Sequence, residues 1–149
     1  MNPRRAVLAL LCTLALLAPR LAAAQGRPAP LEGFVASIAR MWAAGDAGAL
    51  TALAPADDRM SLDLGDGRAE AAEARHVAAA LRELFRERTT LNVRPTQVNI
   101  AGGQPLRGFG ELSWTSRPRG VTDSETSTVY IGAVWENDGW KIRELRVLR

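Results

Sequence analysis

The chain has 149 residues, with 19 Lys+Arg against 16 Asp+Glu, one His and one Cys. Arg4, Arg5, Arg20 and Cys12 all fall in a stretch expected to be removed on export, which leaves 16 basic residues facing 16 acidic ones and no cysteine. A neutral domain of this kind has no electrostatic basis for gripping nucleic acid or an anionic membrane surface, and it has no thiol or disulfide chemistry.

That stretch is the first element. MNPRRAVLALLCTLALLAPRLAAAQG joins basic Arg4 and Arg5 to an apolar run from Ala6 to Ala18 and then to small Ala22, Ala23 and Ala24. The run is shorter than the roughly 20 residues that span a bilayer. It therefore reads as a signal peptide, residues 1–24, cleaved after Ala24; the protein is then periplasmic or secreted and free of the membrane. Cys12 follows Leu10 and Leu11, where a lipid-attachment site needs a small residue. Residues 25–30 form a short linker, and 31–149 make one domain.

From Leu31, apolar Leu31, Phe34, Val35, Ile38, Met41 and Trp42 recur at the spacing of one helical face. Gly45 ends that helix, and Asp46 caps a shorter one through Leu50 and Leu53 to Pro55. Arg59 to Leu64 alternates Met60, Leu62 and Leu64 with polar neighbours, as a short strand does, before a turn at Gly65-Asp66-Gly67. EAAEARHVAAALRELFRER carries the strongest helix pattern. Glu70 and Glu73 at its start and Arg86 and Arg88 at its end suit the helix dipole, and Val77, Ala80, Leu81, Leu84 and Phe85 form an inward stripe. Four strand-like stretches follow, at about 90–100, 106–116, 125–136 and 139–148, broken by AGGQP, RPRGVTD and NDG. Such short, turn-rich breaks imply antiparallel neighbours.

In FVASIARMWAAGDAGALTAL, RMSLDLGDG, ALRELF and the closing VWENDGWKIRELRVL, the chain resembles the nuclear transport factor 2-like, or ketosteroid-isomerase-like (SnoaL-like), superfamily. Within it, the likeness is to small exported bacterial members of unknown function, and it covers nearly all of 31–149. The resemblance implies an α+β, cone-shaped domain, with N-terminal helices packed on a strongly curved, mostly antiparallel β-sheet whose last hairpin supplies central strands. On STVYIGAVWE, Tyr130, Gly132 and Val134 share one face, and Val129, Ile131, Ala133 and Trp135 share the other. Both faces are apolar, whereas an antiparallel sheet ordinarily shows one wet face. Three helices cover one side, so a homodimer through the sheet face is expected, and the resemblance implies the same. Gly108 and Gly110 suit either a sharp bend or a close backbone approach.

The chemical constellations are sparse. Glu73 and His76 have the spacing of a di-iron helix but lack the second copy and further glutamates such a site needs. No glycine elbow surrounds a serine, which excludes a Ser-His-Asp arrangement. Asp63, Asp66 and Gly67 miss the calcium-loop register, because Ser61 and Gly65 stand at ligand positions. Neither a metal nor a cofactor is expected. In relatives that abstract protons, the resemblance places a carboxylate base near the end of the first strand, which here means Asp63 or Asp66. The tyrosine donor those relatives carry on the first helix is absent, and Tyr130 is the only tyrosine. Glu111 is a further carboxylate candidate. Trp42, Phe85, Trp114 and Tyr130 are the expected lining of a ligand pocket. The leading expectation is an exported, non-enzymatic domain that binds a small apolar or amphipathic ligand, or a protein partner, through its cone. The alternatives are an isomerase or dehydratase with a carboxylate base, and a structural dimerisation module.

Overall fold

The computed structural model describes residues 28–149, so the expected signal peptide, Cys12 and the first half of the linker lie outside the described residues. Helix α1 (Leu31–Ala44) turns Leu31, Val35, Ile38, Ala39 and Trp42 into the interior, with Phe34 and Met41 on its flanks. It ends where the sequence places the stop. Gly45 adopts a left-handed φ of 65° and its N–H donates to Trp42 O, while the Asp46 N–H donates to Met41 O. This pattern satisfies carbonyls the helix would otherwise leave bare. Asp46 Oδ1 then accepts from the Ala49 N–H at 2.9 Å and opens the short α2 (Ala47–Thr51).

The next segment departs from expectation. Strand β1 (Arg59–Asp63) is followed by a second strand, β2 (Glu70–Glu73), and helix α3 (Ala74–Glu87) starts only at Ala74. The sequence pattern places Glu70 to Glu73 in the first turn of that helix. They pair instead with Leu62 to Arg59, antiparallel, across a turn in which Gly65 and Gly67 both take positive φ. Ladder bonds to β1 outweigh the helix preference of a short Glu-Ala segment. The stripe on α3 holds: Val77, Leu81 and Leu84 are buried, and Phe85 packs partly buried beside them.

Strands β3 (Arg88–Gly102), β4 (Arg107–Pro118), β5 (Glu125–Glu136) and β6 (Gly139–Leu148) complete one six-stranded sheet of order β2-β1-β6-β5-β4-β3. Every neighbouring pair is antiparallel except β1 with β6. The closing hairpin β5–β6 thus occupies the middle, joined by Asn137 and Asp138, both at positive φ as its two-residue turn requires. Three register shifts against β4 bend the long β3, and another lies between β5 and β6 at Gly132/Ala133. Helix α1 lies so close to β4 that a Cβ on Gly108 would sit 2.5 Å from Leu31 Cδ2, and one on Gly110 would sit 2.5 Å from Val35 Cγ2. Of the two readings of these glycines, close approach is the one realised. The core fills the space between the helices and one face of the sheet. No helix among the described residues is long and apolar enough to cross a membrane.

Candidate functional site

Alternation along the strands decides what the far face of the sheet displays. On β4, Gly108, Gly110, Leu112 and Trp114 point to the helices, so Phe109 and Glu111 point away from them. On β5, Val129 and Ile131 belong to the core, which leaves Tyr130 and Gly132 on the outward face. The register sets Phe109 opposite Gly132, Glu111 opposite Tyr130, and Gly132 opposite Glu144 of β6. Phe109 and Tyr130 are diagonal neighbours and stack, with ring centroids 5.8 Å apart and planes 23° from parallel. Gly132 has no side chain to fill the place between them and Glu144. A Cβ there would lie 3.0 Å from Glu144 Cβ and 3.7 Å from Tyr130 Cε1.

Over this gap the sheet holds a cavity of about 450 Å³, walled by Phe109, Tyr130, Gly132, Val134, Glu144 and Arg107, with Ala101 and Pro105 of the β3–β4 hairpin at its edge and Arg143 also in its wall. Its charges are mostly engaged. Glu144 pairs with Arg146, and Arg143 Nη1 donates to both carboxylate oxygens of Asp57, at 2.8 and 3.0 Å. Burial, followed by the nearby Glu144 charge, pushes the Tyr130 hydroxyl above its ordinary value, against a smaller opposing pull from Arg146. The phenol is therefore neutral at physiological pH and available as a hydrogen-bond donor. Among the described residues, no group of three or more His, Cys, Asp or Glu side chains is placed to hold a metal ion.

No protein-family model matches the sequence, and no curated protein matches it. Solved structures do. A DUF4783 family protein from Bacteroides ovatus superposes with a TM-score of 0.63 at 14% identity, over 83% of this chain and 97% of that one. A domain of unknown function with a cystatin-like fold from Nostoc punctiforme gives 0.61 at 14% identity, over 80% and 74% of the two chains. A designed protein of the nuclear transport factor 2-like kind gives 0.59 at 14% identity, over 78% and 95%. The fold is that of the nuclear transport factor 2-like proteins.

Within this fold the interior of the cone is occupied at the positions that the sequence assigns to a pocket. Trp42 and Trp114 are fully buried, and Trp42 meets Phe85 and Trp114 edge-to-face at 5.2 and 5.5 Å. The Trp114 indole N–H donates to Thr90 Oγ1 at 3.0 Å, and the Arg88 guanidinium lies over its ring at 5.7 Å. Trp42, Phe85 and Trp114 come together as packing on the helix side of the sheet. Tyr130 is separated from them on the other side, where it lines the cavity.

The carboxylates are equally divided. Asp63 is buried, but its Oδ1 accepts from the Gly65 and Gly67 N–H groups at 2.9 and 3.2 Å. The Gly65 bond foremost holds its carboxyl below the usual range, against the cost of burial. A base for proton abstraction needs the opposite shift. Asp66 Oδ1 accepts from the Arg68 N–H, on the wall of a shallower cleft shared with Glu70 and His76. Glu111 is half-buried beside Tyr130 on the outward face. Sequence reasoning missed Phe109, Arg107 and Glu144 as cavity residues. The parity of β4 and β5 held the signal for Phe109, but the register that places it against Gly132 is not written in either strand alone.

Proposed function

We propose that the protein is an exported binding module, not a catalyst, that holds a small amphipathic ligand on the outward face of its sheet, above Gly132. The observation that carries this reading is the cavity of about 450 Å³, in which an aromatic pair meets a few convergent polar groups. That volume and that mixture are typical of small-molecule sites. The packed Trp42–Phe85–Trp114 cluster argues for the outer face of the sheet over the interior of the cone. The turn-closing role of Asp63 argues against an isomerase or dehydratase built on it.

A second copy of the chain is the rival occupant of the same face. Beyond the cavity, however, that face carries Glu111, Ser113 and Thr115 on β4 and Thr128 on β5, so its apolar part is local. Native mass spectrometry of the protein purified from an exporting host separates the two. A defined extra mass on the wild type that is lost in Ala101→Trp, a filling substitution at the exposed rim, is the expected result. A bare monomer, or a homodimer indifferent to Ala101→Trp, overturns the proposal.

A further inference from the structure

We infer that the outward cavity selects an anion: its ligand is a flat apolar body carrying one carboxylate-like group, seated on Phe109 and Tyr130 with that group directed to Arg107. The inference rests on the reading of this cavity as the ligand seat and adds the sign of the ligand's charge.

It follows from which charges in the wall are already spent. Glu144 is the one carboxylate among the lining residues, and Arg146 pairs with it. That ion pair runs through Oε1 and leaves Oε2 beside the gap at Gly132, but two guanidinium groups, Arg107 and Arg143, stand in the wall against this one carboxylate. Arg143 is held by Asp57, but the bonds formed all run through Nη1. A guanidinium offers five N–H donors, so Nε and Nη2 remain for a guest. Arg107 is exposed and has neither an ion-pair nor a hydrogen-bond partner among the described residues. Two guanidinium groups against one carboxylate leave the wall net positive. Glu111 has no ion-pair partner among the described residues either, but it is not part of the wall.

Donor chemistry points the same way. Guanidinium groups bind carboxylates through paired N–H bonds, a geometry a neutral or cationic head group cannot use. The neutral Tyr130 hydroxyl adds one more donor on the same wall. The apolar remainder, Phe109, Val134 and Pro105, supplies surface for a flat hydrocarbon body but no further charge.

The experiment uses three probes with one body and three heads: naphthoate, naphthylmethanol and naphthylmethylammonium. Each is titrated by calorimetry into the wild type, Arg107→Gln and Ala101→Trp, with circular dichroism confirming that all three proteins are folded. Naphthoate is expected to bind the wild type about tenfold more tightly than the alcohol, the worth of roughly one charge-assisted hydrogen bond. Arg107→Gln should bring naphthoate close to the alcohol, and Ala101→Trp should weaken every probe. If the alcohol or the ammonium binds as tightly as naphthoate and Ala101→Trp still weakens it, the anion inference falls and the cavity reading stands. If no probe shows binding that Ala101→Trp reduces, both fall.

Discussion

Asp63 closes the turn between β1 and β2 by accepting from the Gly65 and Gly67 amides, and these bonds set the sign of its effect on stability. A carboxyl held below its ordinary value contributes stability that is fully present above the unfolded-state pKa, near 4, and is lost as pH falls through the lowered folded-state value. Urea unfolding at neutral pH and again well below pH 4 is therefore expected to show a smaller acid loss in Asp63→Asn than in the wild type. Equal losses in the two would contradict the assignment. Asp57, whose bond to Arg143 leads its causes, and Glu83, whose bond to Arg86 does, are lowered as well, so part of the acid loss persists in the variant. The role of Asp63 was not legible in the sequence. The family resemblance places a base at this strand end, whereas the partners of Asp63 are backbone amides that converge only after Gly65 and Gly67 take positive φ. The sequence groups Trp42 and Tyr130 in one pocket lining, whereas packing puts Trp42 in the core and Tyr130 on the other side of the sheet, a division that alternation alone does not fix.

The element that most constrains the site is the contact between α1 and β4. Because α1 rests on Gly108 and Gly110, β4 is drawn inward there, and Phe109 between them is turned outward onto Gly132. The site's aromatic floor is thus a consequence of two missing side chains on the opposite face. Gly110→Ala drives a Cβ to within 2.5 Å of Val35 Cγ2 and is expected to cost about 1–3 kcal/mol, as overpacking does. Val35→Ala alone also destabilises, by loss of a buried side chain. Together the two should cost clearly less than their sum, because the second change removes the atoms the first one strikes. Urea midpoints of the four proteins measure the difference, and strict additivity would place the strain elsewhere. The boundaries of this layer were largely written in the sequence. Gly45, Asp46 and Asn137-Asp138-Gly139 act through local backbone geometry, and each ends or turns an element where expected. Glu70 to Glu73 failed because pairing with β1 is a distant contact, which local propensity cannot register.

At the scale of the whole molecule, the sheet is held together by its one parallel junction. β1 comes early in the chain and β6 last, yet Leu62 lies beside Leu145 and Ser61 beside Glu144. The hairpin β1–β2 and the four-stranded run β3–β6 can therefore join only when the final strand is in place. The Ile142 N–H reinforces this by donating to Leu53 O, just after α2, at 2.7 Å. Leu145 stands at the junction, 1% exposed, with Leu62 on one side and Ile131 on the other. Leu145→Ala is expected to cost about 2–5 kcal/mol, the range for a large buried aliphatic side chain. Leu148→Ala, three residues on and 44% exposed, should stay within about 0.5 kcal/mol. If the junction binds the sheet into one cooperative unit, tryptophan fluorescence and far-ultraviolet circular dichroism should report the same midpoint in Leu145→Ala as they do in the wild type. The four tryptophans report α1 and strands β4 to β6, whereas dichroism also sees β1, β2 and α3. Separate midpoints would mean that the β1–β2 edge unfolds by itself and that the outward cavity, built on β4 to β6 and the β3–β4 hairpin, does not need it.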